Sequence, residues 1–341
     1  MTMNVLLVRP DGIGDEILCL PVASALRRLM PEAKISFLSS AYAAPVLAQH
    51  PDLASVLSLS GTERFSDVVA LFRRGFDVAI FLKPFRSLMA AAFVARVPVR
   101  VATGYRWYSL LANRRVYEHR SDFTRHEAAY NLGLLRGVGL EPGEPIRPQL
   151  FLTDDERQGA AARLKALPSP CIVVHPGGFS SRQWKLHHYR DLMQRLIKEG
   201  YGVVLSGSQA EQDRFRAETG WTGPGKESIL DVMGAVTLRQ LMAIIGESQV
   251  LVSGSTGPAH IAAGLGVRTV SLFDPRRNQS PTRWQPLGQG IVLRPDVPTC
   301  EKCIYEACPY WDCLDRISVE DVVSRVRQVT AGSAEMAVVH V

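Results

Sequence analysis

Short apolar runs alternate with helix-period stretches along the whole chain. In the first half NVLLVR, AKISFLS, SVLSL, DVAIFL and VRVATGY read as strands. Between the first two lies EILCLPVASALRRLM, whose apolar residues recur at helical spacing. The second half repeats the pattern, with CIVVHPG, GVVLSG, QVLVSG and RTVSLFD as strands. Its helices are HHYRDLMQRLIKEG, AEQDRFRAETG, TLRQLMAIIGE and PAHIAAGLG. A strand apolar at every position has no solvated face, so such strands between helices belong to parallel sheets covered on both sides.

The pattern occurs twice, which predicts an α/β chain of two doubly wound, Rossmann-like domains. GLEPGEPIRPQLFLTDDERQ, rich in proline and glycine and ending in the helix start TDDE, puts the boundary near residue 150. The domains are then 1–150 and 151–330, and the tail 331–341, AGSAEMAVVHV, has no evident partner and is expected to fray. Doubly wound sheets bind ligands outside the carboxyl ends of their strands. Two of them face to face predict a central cleft with one ligand supplied from each side.

Composition narrows this little. The 341 residues are 46% apolar and 21% charged, a globular balance. No apolar run approaches the ~20 residues of a membrane span. MTMNVLLVRPDG has no basic region before its short apolar run, so it reads as a first strand and predicts a cytoplasmic protein. Charge changes the picture more. The net charge is +6, but residues 1–150 hold eighteen basic against thirteen acidic side chains, while the remainder is nearly balanced. A basic first half suits an acidic partner or a solvated surface; no RNA-binding aromatic motif or zinc-finger spacing favours nucleic acid.

Three strand-to-helix turns carry candidate chemistry. In RPDGIGDEILCLP, Gly12 and Gly14 permit positive φ or close approach of another molecule. Asp15 follows at a helix start, where a carboxylate either caps backbone N–H groups or serves as a general base. These roles compete, because capping bonds lower a carboxylate's pKa. Asp11 on the same turn is the fallback. In VSGSTGPAHIAAGLG, Ser255, Thr256 and Gly257 precede a helix opening at Pro258, with His260 in its first turn. Exposed N–H groups and the helix dipole there suit a diphosphate, or simply a capped buried helix. In HPGGFSSRQWKLHHY, Arg182 offers a fork for phosphate oxygens and Lys185 a point charge, while Trp184 is a packing anchor or a ring platform.

Two motifs mislead. GWTGPGKE fits GxxxxGK, but Glu227 stands where a P-loop needs Ser or Thr. SGSTG approximates a hydrolase elbow, with Ser253 in place of the first glycine. Cys300, Cys303, Cys308 and Cys313 are spaced C-x2-C-x4-C-x4-C. Four thiolates could hold structural Zn or Fe; reduced packed thiols and redox chemistry are the other readings. Cys19 and Cys171 lie in apolar surroundings.

With its three turns in register, the chain resembles glycosyltransferase family 9, the heptosyltransferase family, from about residue 4 to 328. RPDGIGDEILCLPVASALRRLMP, GSTGPAHIAAGLGVRTVSLF and HPGG…RQWKLHHY carry the likeness, with GSQAE and MGAVTLRQLMAII beside them. The resemblance implies a two-domain GT-B fold and an inverting, metal-independent glycosyl transfer with no catalytic cofactor. The first domain would bind the acceptor, a lipopolysaccharide core or lipid A-linked sugar. The second would bind the donor, ADP-heptose, as its nucleotide sugar. It implies peripheral contact with the inner membrane at its cytoplasmic face. Asp15 matches the family's catalytic base, with Asp11, Gly12 and Gly14 in the acceptor-side loop. Arg182 takes the place of a donor-side cation with Lys185 close by, and Glu211 that of a donor-side carboxylate. Thr256, Gly257 and His260 match the diphosphate turn. Ser255 departs from it, since the family often has Asp there, and that leaves the donor contacts open. A non-catalytic sugar-nucleotide-binding protein of the same fold and an NAD(P)-dependent oxidoreductase are the alternatives.

Overall fold

The computed structural model describes residues 2–178, 182–222, 228–332 and 335–341. The chain divides into two compact units, Met1–Phe151 and Leu152–Val341. The GPGKE part of the P-loop look-alike lies outside the described residues.

The first unit runs β1 (Asn4–Val8), α1 (Ile13–Ile17), α2 (Leu20–Leu29), β2 (Lys34–Ser40), β3 (Ser55–Leu59), α3 (Phe65–Phe72), β4 (Val78–Phe81), α4 (Arg86–Val94), β5 (Val99–Thr103), β6 (Arg114–Val116) and α5 (Glu127–Gly133). Its six strands are ordered β3-β2-β1-β4-β5-β6, and every pair is parallel. This is the doubly wound order, whose direction reverses between β1 and β4. The apolar strand residues bury completely: Leu6, Val8, Leu38, Ala79 and Phe81 form one core with α3 and α4. The spacing in EILCLPVASALRRLM predicts one helix; two form, split at Leu18–Cys19. Pro21 sits in the first turn of α2 and has no N–H to continue the preceding turn. Strand β6, two-thirds arginine, carries no apolar signal to read in the sequence.

The second unit runs α6 (Asp154–Leu164), β7 (Cys171–His175), α7 (Leu186–Lys198), β8 (Gly202–Leu205), α8 (Gln209–Thr219), β9 (Ile229–Asp231), α9 (Leu238–Gly246), β10 (Val250–Gly254), α10 (Gly257–Leu265), β11 (Arg268–Leu272), α11 (Pro281–Trp284), β12 (Gly290–Arg294), α12 (Val319–Ala331) and β13 (Ala337–His340). The helix start at TDDE is a full capping box: the Thr153 side chain accepts from the Glu156 N–H and Glu156 accepts from the Thr153 N–H. The seven strands are ordered β13-β12-β11-β10-β7-β8-β9, again all parallel, with the reversal between β7 and β10.

The tail corrects the expected fraying. Ala337–His340 pair in parallel with Ile291–Arg294, so β13 closes the sheet edge. The sequence hides this pairing because β12, the partner strand, also gives little signal of its own. Among the described residues no helix is long and apolar enough to cross a membrane.

Candidate functional site

In each unit the singled-out turns sit at the reversal point of the sheet. In the first, β1 ends at Val8 and hands the chain to Arg9 and the loop before α1. Arg9 is only 3% exposed, yet charged, because acidic groups surround it. Its Nη2 donates to Asp15 Oδ1, its Nη1 to Glu127 Oε1 at 3.0 Å, and its Nε lies 3.5 Å from Asp11 Oδ2. Burial works against the Arg9 charge, but these neighbours outweigh it and hold the guanidinium above its ordinary range. Glu127, from the start of α5, is itself buried and pairs with Arg120 as well. From the end of β4, Lys83 Nζ reaches Asp11 Oδ2 at 2.6 Å.

Asp15 is not a helix cap. The N-cap of α1 is Gly12, no side chain caps it, and Asp15 is the third helical residue with its carboxylate on Arg9. Its side chain keeps 30% of its surface open. Burial pushes its pKa up, and Arg9 pulls it back only in part. The net rise makes it a better proton acceptor than a capping carboxylate would be. Neither glycine is required by conformation: Gly12 has φ −70°, and neither Gly12 nor Gly14 takes positive φ. A Cβ on Gly12 would stand 3.4 Å from Asp15 Oδ2.

Beneath this loop lies Glu16, fully buried. Its carboxylate accepts from the Asp11 N–H at 3.1 Å, the Ser40 N–H at 2.9 Å and the hydroxyls of Ser39 and Ser40. Burial pushes it up to about 7, against the pull of those donors. Glu16 therefore ties the Asp11 turn to the end of β2.

In the second unit, the loops after β7 and β10 meet. Glu211, at the third position of α8, closes a capping box with Ser208. Its other oxygen accepts from the Gly178 N–H at 3.1 Å. A Cβ on Gly177 would collide with Glu211 Oε1 and fall 2.7 Å from His175 Nε2, so carboxylate and imidazole converge over that glycine. His175 is buried, which lowers its pKa, and its Nδ1 lies 3.2 Å from Ser206 Oγ. Gly178 has φ +138°, and a Cβ there would meet Thr256 Cγ2 at 2.8 Å. Thr256 is the N-cap of α10 and makes no side-chain cap bond; Ser255, Thr256 and Gly257 remain partly open. No side chain caps the nine-residue α10; Pro258 has no N–H, the Ala259 N–H donates to the Thr256 carbonyl at 3.1 Å, and His260 is buried one turn in. Ser253, which stands where a hydrolase elbow has its first glycine, donates its hydroxyl to the Gly254 carbonyl at 2.9 Å.

The structure does not bring the two cations to this turn. Arg182 Nη2 donates to the Trp311 carbonyl at 2.7 Å and Nη1 to Cys303 Sγ at 3.4 Å, with Tyr305 beneath the guanidinium. Lys185 Nζ pairs with Asp315 at 2.8 Å over the Trp311 ring. Trp184 is a packing anchor, buried, with its Nε1 on the Ile317 carbonyl at 2.9 Å. Cys300, Cys303, Cys308 and Cys313 line one cavity of about 40 Å³ together with Arg182 and Arg276. All four are free thiols, and burial pushes Cys300 and Cys313 up. Among the described residues no group of three or more His, Cys, Asp or Glu side chains is arranged to hold a metal ion.

Sequence reasoning misses Arg9, Glu16, Glu127, Lys83 and His175. Arg9, Glu16 and His175 stand inside or beside the quoted turns, so their position was a signal. Glu127 lies 118 residues from Arg9, and no local signal joins them.

Two doubly wound parallel sheets, each with its polar loops at the reversal point, define a GT-B protein. Residues 67–310 match the model of glycosyltransferase family 9 (heptosyltransferase), and the chain belongs to that family of glycosyltransferases. It is 26% identical over 292 residues to lipopolysaccharide heptosyltransferase 2 of Salmonella typhimurium, covering 80% of this chain and 83% of that one. The fold is similar to Escherichia coli ADP-heptose lps heptosyltransferase II, with TM-score 0.80, 22% identity and 96% and 99% of the two chains covered. It is also similar to E. coli heptosyltransferase WaaC with ADP-2-deoxy-2-fluoro heptose, with TM-score 0.68, 15% identity and 96% and 99% covered.

Proposed function

We propose that this chain moves a heptose from ADP-heptose to a hydroxyl of a lipopolysaccharide core acceptor, with inversion and without a metal in the reacting charge balance. The observation that carries this reading is the partly open Asp15 carboxylate held on Arg9, with its pKa raised, at the reversal point of the first sheet. The names of the family and of the similar proteins support the sugar, the nucleotide and the acceptor class.

In the proposed reaction the acceptor oxygen forms a bond to the anomeric carbon as the bond from that carbon to the diphosphate breaks. The hydroxyl proton goes to Asp15, and the bonding electron pair leaves on the diphosphate. The N-terminus of α10 and Thr256 receive that charge through preoriented donors. Arg182 joins by exchanging the Trp311 carbonyl and Cys303 for phosphate oxygens, a stronger charge-assisted bond; Lys185 stays with Asp315. Glu211 holds the Gly178 loop beside Thr256 for the nucleotide. His260, Ser255 and Gly257 shape the turn, and Asp11, Gly12 and Gly14 shape the acceptor loop. The cysteine segment takes no part in the reaction; it braces Arg182 and Arg276. With a lipid-linked acceptor, the enzyme works as a peripheral protein at the cytoplasmic face of the inner membrane.

Mass spectrometry of truncated lipopolysaccharide incubated with a panel of nucleotide sugars tests the reading. One heptose added from ADP-heptose by the native protein, and at a far lower rate by Asp15→Asn, is the expected result. Saturable NAD(P)H binding with no product from any nucleotide sugar would overturn it.

A further inference from the structure

Between Asp77 and Glu118 the chain holds no acidic residue, while seven positions are Lys or Arg, and the proposed reaction uses none of them. The segment comprises α4, β5, the short helix Trp107–Leu111 and the edge strand β6. Arg86, Arg96, Arg106, Arg114 and Arg115 make no ion pair with any described residue, and all five are exposed. Arginines without counter-charges on neighbouring elements repel one another, so an outside anion lowers their energy.

The same segment exposes its large apolar side chains. Trp107 is 72% exposed and Leu110 63%, and Phe93, Tyr105 and Tyr117 stand about half open. The helix Trp107–Leu111 packs on α4, which brings Phe93 and Val94 into the same surface. Several of these groups are held in place. Tyr117 lies over Gly104, where a Cβ would run into its ring, and meets the Tyr105 ring edge-on at 5.4 Å. Tyr105 also bonds His119 Nε2 at 2.7 Å, and Arg100 covers the Phe93 ring at 5.4 Å. Exposed aromatic rings kept in place beside unpaired arginines match the headgroup layer of a bilayer, which accepts amphipathic rings and cations together.

We infer that the surface formed by α4, the Trp107–Leu111 helix and β6 docks on an anionic lipid bilayer, with Trp107 and Leu110 entering the headgroup layer and Arg106, Arg114 and Arg115 meeting lipid phosphates. The docking rests on the proposed reading for its lipid-linked acceptor, but it is measured as binding and stands apart from transfer.

Flotation of the full chain with phosphatidylglycerol–phosphatidylethanolamine vesicles, against phosphatidylcholine vesicles, is the test. Binding to the anionic vesicles alone, weakening as salt is raised, is expected. Trp107→Ser with Leu110→Ser, and separately Arg114→Glu with Arg115→Glu, should each lower the bound fraction at least tenfold. Unchanged thermal unfolding will show that the variants fold. Transfer to a de-acylated, water-soluble acceptor should not change, while transfer to acceptor embedded in vesicles falls with binding. Native protein that ignores anionic vesicles, or variants that bind as well as native, would overturn the inference. So would sedimentation showing that Trp107 and Leu110 instead join two copies of the chain. Vesicle binding without sugar transfer to any acceptor would leave the docking standing and defeat the transferase reading.

Discussion

Arg9 and Asp15 are six residues apart, one just past the end of β1 and the other in α1, and the guanidinium of the first holds the carboxylate of the second. The pair is asymmetric: Arg9 is buried, and Asp15 keeps part of its surface open. Arg9 thus serves as a fixed positive support for the proposed base. It also lowers the Asp15 pKa, which burial alone would push further up. Replacing Arg9 by Gln should therefore raise that pKa, and the acid limb of the kcat/KM profile against pH should move to higher pH. Buried Glu127 would lose one of its cations, so stability should also fall, by about 3–5 kcal/mol. Arg9→Lys keeps the charge and should restore much of the profile. Transfer rates measured across pH, with urea unfolding of each variant, check both effects.

Asp15→Asn keeps the shape and removes the basicity. Transfer should fall about 10²–10⁴-fold, the usual worth of a positioned base. ADP binding by calorimetry should stay within about twofold of native, because Asp15 belongs to the first unit and the proposed nucleotide turn to the second. A variant that transfers at the native rate would remove Asp15 from the chemistry.

Much of this architecture was legible because parallel strands announce themselves. Nine apolar runs became β1 to β5, β7, β8, β10 and β11; most are buried on both faces and so apolar throughout, while β3 is a partly open edge strand. Strands β6, β9, β12 and β13 escaped: three lie at sheet edges with short or polar sequences, and β12 is a five-residue run without a helix signal beside it. The turns were legible for the same reason, since each follows a strand end. Side-chain direction was not. Whether Arg182 turns to phosphate or to the Trp311 carbonyl depends on a residue 129 positions away. That Asp15 leans on Arg9 and does not cap its helix depends on Arg9 being held by Glu127, buried and 118 positions away.

Gly178 tests the second turn. Its φ of +138° is a conformation that side chains rarely adopt, and a Cβ would press on Thr256. Gly178→Ala should cost about 1–3 kcal/mol in stability and weaken ADP binding, since it displaces the N-cap of α10. Gly159, in the exposed run of α6, is the control, because nothing lies within 4 Å of where its methyl group would stand. Gly159→Ala should stabilise by roughly 0.5–1 kcal/mol and leave ADP binding alone. Chemical unfolding and calorimetry on both variants separate a local clash from a general response to alanine.

Glu16 gives the protein a pH-dependent joint under the Asp11 turn. Its native pKa is raised to about 7 from 4.5 by burial. Between those values the native state holds a proton that the unfolded chain has released, so unfolding gives up a proton. Stability contributed by this group is therefore full below about pH 4.5 and lost as pH rises through 7, with a ceiling of roughly 3 kcal/mol. The N–H groups of Asp11 and Ser40 donate to either form of the carboxyl, but only the neutral form avoids an uncompensated buried charge. Glu16→Gln keeps an acceptor for those N–H groups and cannot ionise. The difference in unfolding free energy between native and variant, measured at about pH 5 and again near pH 7.5, cancels every other titrating group. Native protein should lose ground to the variant as pH rises. A difference that stays flat across that range would mean that Glu16 ionises as an ordinary carboxylate and that its burial is relieved by water reaching the loop.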